Sequence, residues 1–234
     1  MRIRATLSAS AFLLVVLHGC GGGTDERPSP VQLSTDFNAT ATDWLYGYAD
    51  YTSETAPNDV VVQPRPLPQP FTGYGLYTFG TNRSDDLFIY IKKRFSGFAP
   101  DTKYSLTFSV TFLTRVSMGC FGVGGPPGEG VVVKGGASTI EPMTVLVNNT
   151  YQMNIDTGNE GGKDALVLGN IANSSTDCMN LRYESKTLIS RASVTTTSDN
   201  NGSLWILFGI DSGFEAASNI YYQSALVTAS PVDS

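Results

Sequence analysis

Tyr104-Ser-Leu-Thr-Phe-Ser-Val-Thr-Phe112 decides the fold. Tyr104, Leu106, Phe108, Val110 and Phe112 alternate without a fault with Ser105, Thr107, Ser109 and Thr111. A period of two sustained over the whole stretch marks a β-strand with one buried face. Signals of the same kind recur at 74–79, 87–91, 130–133, 144–147, 151–155, 165–168, 187–197, 204–210 and 220–228, most of them bounded by Gly, Asn, Asp or Pro. Residues 204–208, Leu-Trp-Ile-Leu-Phe, are apolar at every position, as in a central strand covered on both faces. No window of a dozen residues carries a helical period. The best helix candidate is 212–218, where Ser212 and Glu215 have capping-box spacing over at most two turns. Many short strands with little helix predict an all-β fold, a two-sheet antiparallel β-sandwich.

The start of the chain has a different grammar. Arg2 and Arg4 precede an almost unbroken apolar run over 9–17, and the small Gly19 stands directly before Cys20, the pattern of a signal peptide over 1–19. The run is shorter than the ~20 residues that span a bilayer. Leu17-His18-Gly19-Cys20 resembles the bacterial lipobox, in which the Cys thiol receives a diacylglyceryl group and becomes residue one of the mature protein. His18 departs from the small residue usual in its slot, and an ordinary secretory signal with a coincidental Cys is the alternative. Acylation of Cys20 would tether the chain stably to a lipid bilayer, since each buried methylene contributes about 0.8 kcal/mol. Gly21 rather than Asp after the Cys resembles the outer-membrane sorting pattern of Gram-negative lipoproteins. Residues 20–30 then read as the lipidated Cys and a flexible tether, and 31–234 as a single β-sandwich domain.

Loss of Arg2 and Arg4 with the signal leaves 13 basic against 21 acidic residues, a mature charge of −8. Such a surface argues against nucleic acid and against charge-driven binding of anionic lipid. The cluster Lys92-Lys93-Arg94 is too short to reverse this and reads as the decoration of a strand end. His18 is the only histidine, and it leaves with the signal. The mature chain therefore has no Ser-His-Asp or Cys-His mechanism and no His-containing zinc site. If Cys20 carries lipid, Cys120 and Cys178 have only each other in an oxidising compartment. Their disulfide would stabilise the fold by roughly 4 kcal/mol in the chain-entropy model; two separate buried thiols are the alternative.

Phe98-Ala-Pro-Asp-Thr-Lys-Tyr104, leading into the alternating strand, and Asn219-Ile-Tyr-Tyr222 near the end are similar to the middle and last strands of jelly-roll carbohydrate-binding modules and galactose-binding-like domains. Asn82-Arg-Ser-Asp-Asp-Leu-Phe88, the 120–128 loop, Gly135-Gly-Ala-Ser138 and Asp211-Ser-Gly-Phe214 resemble a group of uncharacterised bacterial secreted proteins. The resemblance implies a jelly-roll arrangement but carries no function. Those modules often place an acidic residue of a structural calcium site in the last strand, where this chain has Gln223 and Ser224.

Trp44, Tyr46, Tyr48 and Tyr51 stand at near-alternate positions. On one strand face their rings would stack on a sugar while Asp43 or Asp50 accepts hydroxyl hydrogen bonds; a core-facing strand would show the same alternation. Trp44, Tyr46, Tyr48 and Asp50 are the candidate ligand-binding residues. Asp156, Asn159 and Asp164, in a Gly-rich loop dense in oxygen ligands, are candidate calcium ligands, although the spacing is not that of an EF-hand and polar hairpin turns look alike. Adjacent Asp85 and Asp86 point to opposite faces of an extended chain and so do not form an acid and base pair. The 119–130 loop opens a strand rather than a helix, which excludes a phosphate cradle and leaves a long connection or the lining of a binding surface. The alternating prolines 64, 66, 68 and 70 favour a rigid extended crossing.

These observations lead to a membrane-anchored bacterial lipoprotein of the cell envelope, in the outer membrane, whose non-catalytic sandwich binds a carbohydrate or another envelope ligand. A histidine-free glycoside hydrolase or polysaccharide lyase, and a structural envelope protein without a small ligand, are the alternatives. A sugar would lie on an open concave sheet with exposed rings, and a concave face filled by aliphatic side chains would sink that reading.

Overall fold

In a computed structural model, which describes residues 28–84 and 86–233, Tyr104, Leu106, Phe108, Val110 and Phe112 are all buried and the Ser and Thr residues between them are not. The signal peptide, His18, Cys20, most of the tether and Asp85 lie outside the described residues.

The strands in chain order are β1 (Val31–Asp36), β2 (Leu45–Ala49), β3 (Tyr51–Thr52), β4 (Val61–Pro66), β5 (Tyr74–Thr81), β6 (Phe88–Ser96), β7 (Lys103–Thr114), β8 (Val131–Ser138), β9 (Thr144–Val147), β10 (Thr150–Met153), β11 (Ala165–Asn170), β12 (Glu184–Ile189), β13 (Val194–Thr197), β14 (Ser203–Ser212) and β15 (Ala217–Pro231). A single helical turn, α1 (Phe37–Thr40), and one 3-10 turn follow β1. The first sheet runs β12-β7-β15-β5-β4, with β1 also on β15 and β13 also on β7; the second runs β11-β8-β14-β6-β2. Every pairing is antiparallel. The protein is an all-β, jelly-roll-like sandwich of two antiparallel sheets, as the alternation predicts.

The main core lies between these sheets, where Leu106, Phe108, Val110 and Phe112 of β7 meet Ile206, Phe208 and Ile210 of β14 and Ile89 and Ile91 of β6. The uniformly apolar run at 204–208 has its stated cause: β14 is a central strand, and Leu207 packs into a second cluster on the opposite face. That cluster joins Ala49, Phe88, Tyr90 and Leu207 to Met153 and Ile155. The last two come from β10 and the residues after it, part of a small sheet β3-β10-β9 laid over the outer face of the second large sheet. Its β9–β10 turn is Asn148-Asn149, with φ of +49° and +66°, the two-residue geometry that favours Asn and matches strand twist.

Three expectations about local structure change. Residues 212–218 form the end of β14, a turn and the start of β15, not a helix, because the backbone of Ser212 pairs with Leu87 in both directions. The 187–197 signal divides into β12 and β13, both on β7, at Ser190, whose Oγ and N–H take the Phe108 backbone groups at 3.0 and 2.8 Å. Pro64 and Pro66 belong to edge strand β4, a place where a missing N–H costs no central ladder bond.

Cys120 and Cys178 form a disulfide, with Cα atoms 5.8 Å apart.

Candidate functional site

Strand β2 leaves the second large sheet at Asp50. This residue sits at φ +68° and donates its N–H to Tyr151 O at 2.6 Å, so that the next residues continue as β3 of the small sheet. Asp is among the few non-Gly residues that tolerate the left-handed region. Asp86 lies in the β5–β6 connection, held by Asn82, whose side chain donates to Ser212 O at 2.6 Å, and by the Leu87–Ser212 backbone pair. Asp211 is near the end of β14, on the face opposite Ile210. The three carboxylates offer oxygens within 4.8 Å of one another.

Lys134 of β8 is 1% exposed, and its Nζ lies 2.5 Å from Asp211 Oδ2. It also donates to Gly158 O and sits 5.3 Å from the centre of the Phe88 ring. Three acids around one cation leave the site over-supplied with negative charge, and burial makes that costly. Desolvation, then the Asp211 charge, pushes Asp50 up to about 6 despite Lys134. Desolvation, the Asp211 charge, a hydrogen bond with Asp211 and the Asp50 charge push Asp86 up to about 8. Burial and the neighbouring charges thus favour the protonated form of Asp86 at neutral pH. Asp211 Oδ1 is buried without a hydrogen-bond partner.

Two openings meet at this cluster. A cleft of about 400 Å³ is lined by Asp50, Tyr51, Ser84, Asp86, Gln152 and Asn159, with threonines between them. A smaller cavity of about 190 Å³ adjoins it, lined by Asp86, Glu129, Asn159 and Asp211. Tyr51 stacks between Tyr48 and Tyr151, with ring centres 5.3 and 4.8 Å away. The lining is thus carboxylate, amide and hydroxyl, with one bank of stacked rings.

The predicted binding strip is divided. Trp44 is 6% exposed and packs on Phe37, Phe95 and Phe208 in the main core, which corrects its assignment as a stacking residue: no ligand reaches its faces. Tyr46 is 51% exposed, Tyr48 is half-buried beside Tyr51, and Asp50 alone of the four lines the cleft. The outer face of the second sheet is filled by Met153, Ile155 and Leu207 with Phe88 and Tyr90, so that face offers no open platform on which a sugar could lie.

The structure does not gather Asp156, Asn159 and Asp164 either. Asp156 N–H donates to Asp164 Oδ2 at 2.9 Å and Lys163 N–H to Asp156 Oδ2 at 3.0 Å, so the two carboxylates tie the neck of their loop. Asn159 instead lines both openings beside Asp86. The 119–130 connection contributes Glu129 to the smaller cavity. Lys92, Lys93 and Arg94 pair separately with Glu141, Asp43 and Asp199 and form no patch.

Sequence reasoning missed Lys134 and Asp211. Each carried a signal: a lysine inside Val131-Val-Val-Lys-Gly-Gly-Ala, and an aspartate ending the apolar run 204–210. A charge embedded in a strand buried on both faces calls for a partner.

The class these features define is a β-sandwich with an acidic, lysine-bridged cleft at one end. No protein-family model matches the chain, and no curated protein matches it. Among solved structures it is similar to a carbohydrate-binding module of the β-sandwich superfamily described for promiscuous specificity, at 10% identity and a TM-score of 0.39 over 89% of this chain and 76% of that one. A module described for specific mannan recognition matches at 9% identity and a TM-score of 0.38, over 86% of this chain and 98% of that one. The enzymatically active domain of bacteriophage CBA120 tailspike protein 4 matches at 8% identity and a TM-score of 0.34 over 82% of this chain, which spans only 20% of that one. Likeness of this degree defines neither a family nor a ligand.

Proposed function

We propose that this chain is a lipid-anchored protein of the bacterial envelope whose sandwich binds a carbohydrate, or a polyhydroxylated envelope ligand of similar chemistry, in the cleft beside Asp50. The observation that carries the reading is the lining of that cleft. Carboxylate, amide and hydroxyl groups from Asp50, Ser84, Asp86, Gln152 and Asn159 converge beside the edge of Tyr51, whose faces are taken by Tyr48 and Tyr151, in a volume of about 400 Å³, a density of directional polar groups suited to the hydroxyls of a sugar.

The tether reading fits the cleft's position. Val31 pairs with Ala229, whereas the Asn82–Asp86 connection lies beside Ala216 and Ser212, before β15 begins. Ala217 and Ala229 are separated by about 40 Å of strand, so the cleft opens at the end of the sandwich remote from Val31, which the proposed tether would precede. A glycan array with the mature chain tests the ligand, and mass spectrometry of the N-terminal peptide tests acylation of Cys20. An array without a hit, on a protein that melts cooperatively, would remove the carbohydrate reading.

One observation favours catalysis as a second reading. Burial and neighbouring charge raise Asp86 to about 8 and Asp50 to about 6, and two carboxyls set apart in this way suit an acid and base pair. Release of reducing or unsaturated ends from a bound glycan would establish it; binding without release keeps the first reading.

A further inference from the structure

We propose that Asp50, Asp86 and Asp211 hold a divalent cation of the calcium class, with Asn159 and Glu129 completing the oxygen set. The inference stands on the cluster and not on the carbohydrate reading, and it is tested without any glycan.

Calcium binds oxygens at about 2.3–2.6 Å, so two ligands on opposite sides of one ion are roughly 4.8 Å apart. The three carboxylates offer oxygens all within 4.8 Å of one another. Magnesium demands near-ideal octahedral geometry and keeps several of its waters, whereas calcium accepts an irregular set of carboxylate and amide oxygens such as this one. Independent of the clustering, buried oxygens around the smaller cavity lack partners. Asp211 is 6% exposed and its Oδ1 has no hydrogen bond; Glu129 Oε2, on a residue lining the same cavity, is likewise buried without one. An anionic oxygen left so is costly, and a hard cation satisfies several at once. Asn159, present in both openings, places an amide oxygen donor at their junction.

Lys134 does not take the ion's place. Its ammonium engages Asp211 Oδ2 and Gly158 O. It offsets one carboxylate charge and leaves the Asp50, Asp86 and Glu129 carboxylates to meet a divalent ion. Asp50 and Asp86 also line the larger cleft, so an ion here would stand at its floor, within reach of an oxygen-rich ligand.

The test uses the full mature chain, freed of metal by chelator, in calorimetric titrations and melting curves with calcium chloride and then magnesium chloride. One calcium per chain is expected, with a raised melting temperature that chelator reverses and weaker binding of magnesium. Asp50→Asn and Asp86→Asn, both only partly buried, should weaken calcium by at least about tenfold, while Glu160→Gln, in the neighbouring loop, should leave it unchanged. Terbium, excited through the nearby Tyr51 and displaced by calcium, gives a second readout on the unaltered chain should either variant fail to fold. Absence of heat, melting shift and terbium signal with millimolar calcium overturns the proposal, as does calcium binding undiminished in a folded Asp86→Asn or Asp50→Asn chain. Equal affinity for magnesium overturns the calcium class.

Discussion

Lys134 Nζ lies 2.5 Å from Asp211 Oδ2, with the two side chains 1% and 7% exposed. The pair sits on adjacent strands β8 and β14, on the face away from the main core. Removing one partner of a buried ion pair strands the other charge and costs about 3–5 kcal/mol, whereas replacing both by apolar groups is often nearly neutral. Lys134→Met should therefore lose about that much stability by urea denaturation, and Lys134→Met with Asp211→Leu should recover a large part of it. A single variant as stable as the parent would show that the pair is not an ion pair in solution.

Stability should fall as pH rises through neutrality when metal is absent. Asp50 and Asp86 are raised from the usual carboxylate range to about 6 and about 8, so the folded chain holds protons that the unfolded chain has released. Their contribution is fully present below about pH 4 and is lost as pH climbs past the two folded values. Melting temperatures in chelator between about pH 5 and pH 9, a span that brackets both groups, should decline, and Asp86→Asn should flatten the decline. A melting temperature that climbs over this interval would contradict the assigned shifts.

The Cys120–Cys178 bridge spans 58 residues of sequence. Loop-closure entropy over that length gives roughly 4 kcal/mol. Replacing both residues by serine should lower stability by about that amount, and alkylation before and after reduction should show the change of two thiols in mass.

Trp44 and Tyr51 should respond oppositely. Trp44→Ala empties a core site between Phe37, Phe95 and Phe208 and should cost about 3–5 kcal/mol, with ligand binding intact in the chain that remains folded. Tyr51→Ala removes a half-buried ring from the cleft wall and should weaken glycan binding in the folded chain, with a smaller loss of stability than Trp44→Ala. The reverse pattern would return the binding site to Trp44.

Much of this protein was determined by the sequence alone. The fault-free alternation of 104–112 specified a strand, because one buried and one exposed face leave no other solution, and residues 204–208 specified a central strand for the complementary reason. The only histidine and the Leu17–Cys20 box belong to the sequence as well, and with them the exclusion of histidine mechanisms and the expectation of an anchor. The candidate site was decided by tertiary structure. Asp50, Asp86, Lys134 and Asp211 come from a strand corner, a connection and two strands, and only antiparallel register brings their charges together. Nor does alternation say which side of an edge strand faces the core: Trp44, Tyr46 and Tyr48 are equivalent as a pattern, yet Trp44 is buried between the sheets while Tyr46 is open to solvent. The small sheet β3-β10-β9 covers the face where a sugar was expected to lie. Cover of that kind is a long-range packing choice, made by apolar area that no local period records.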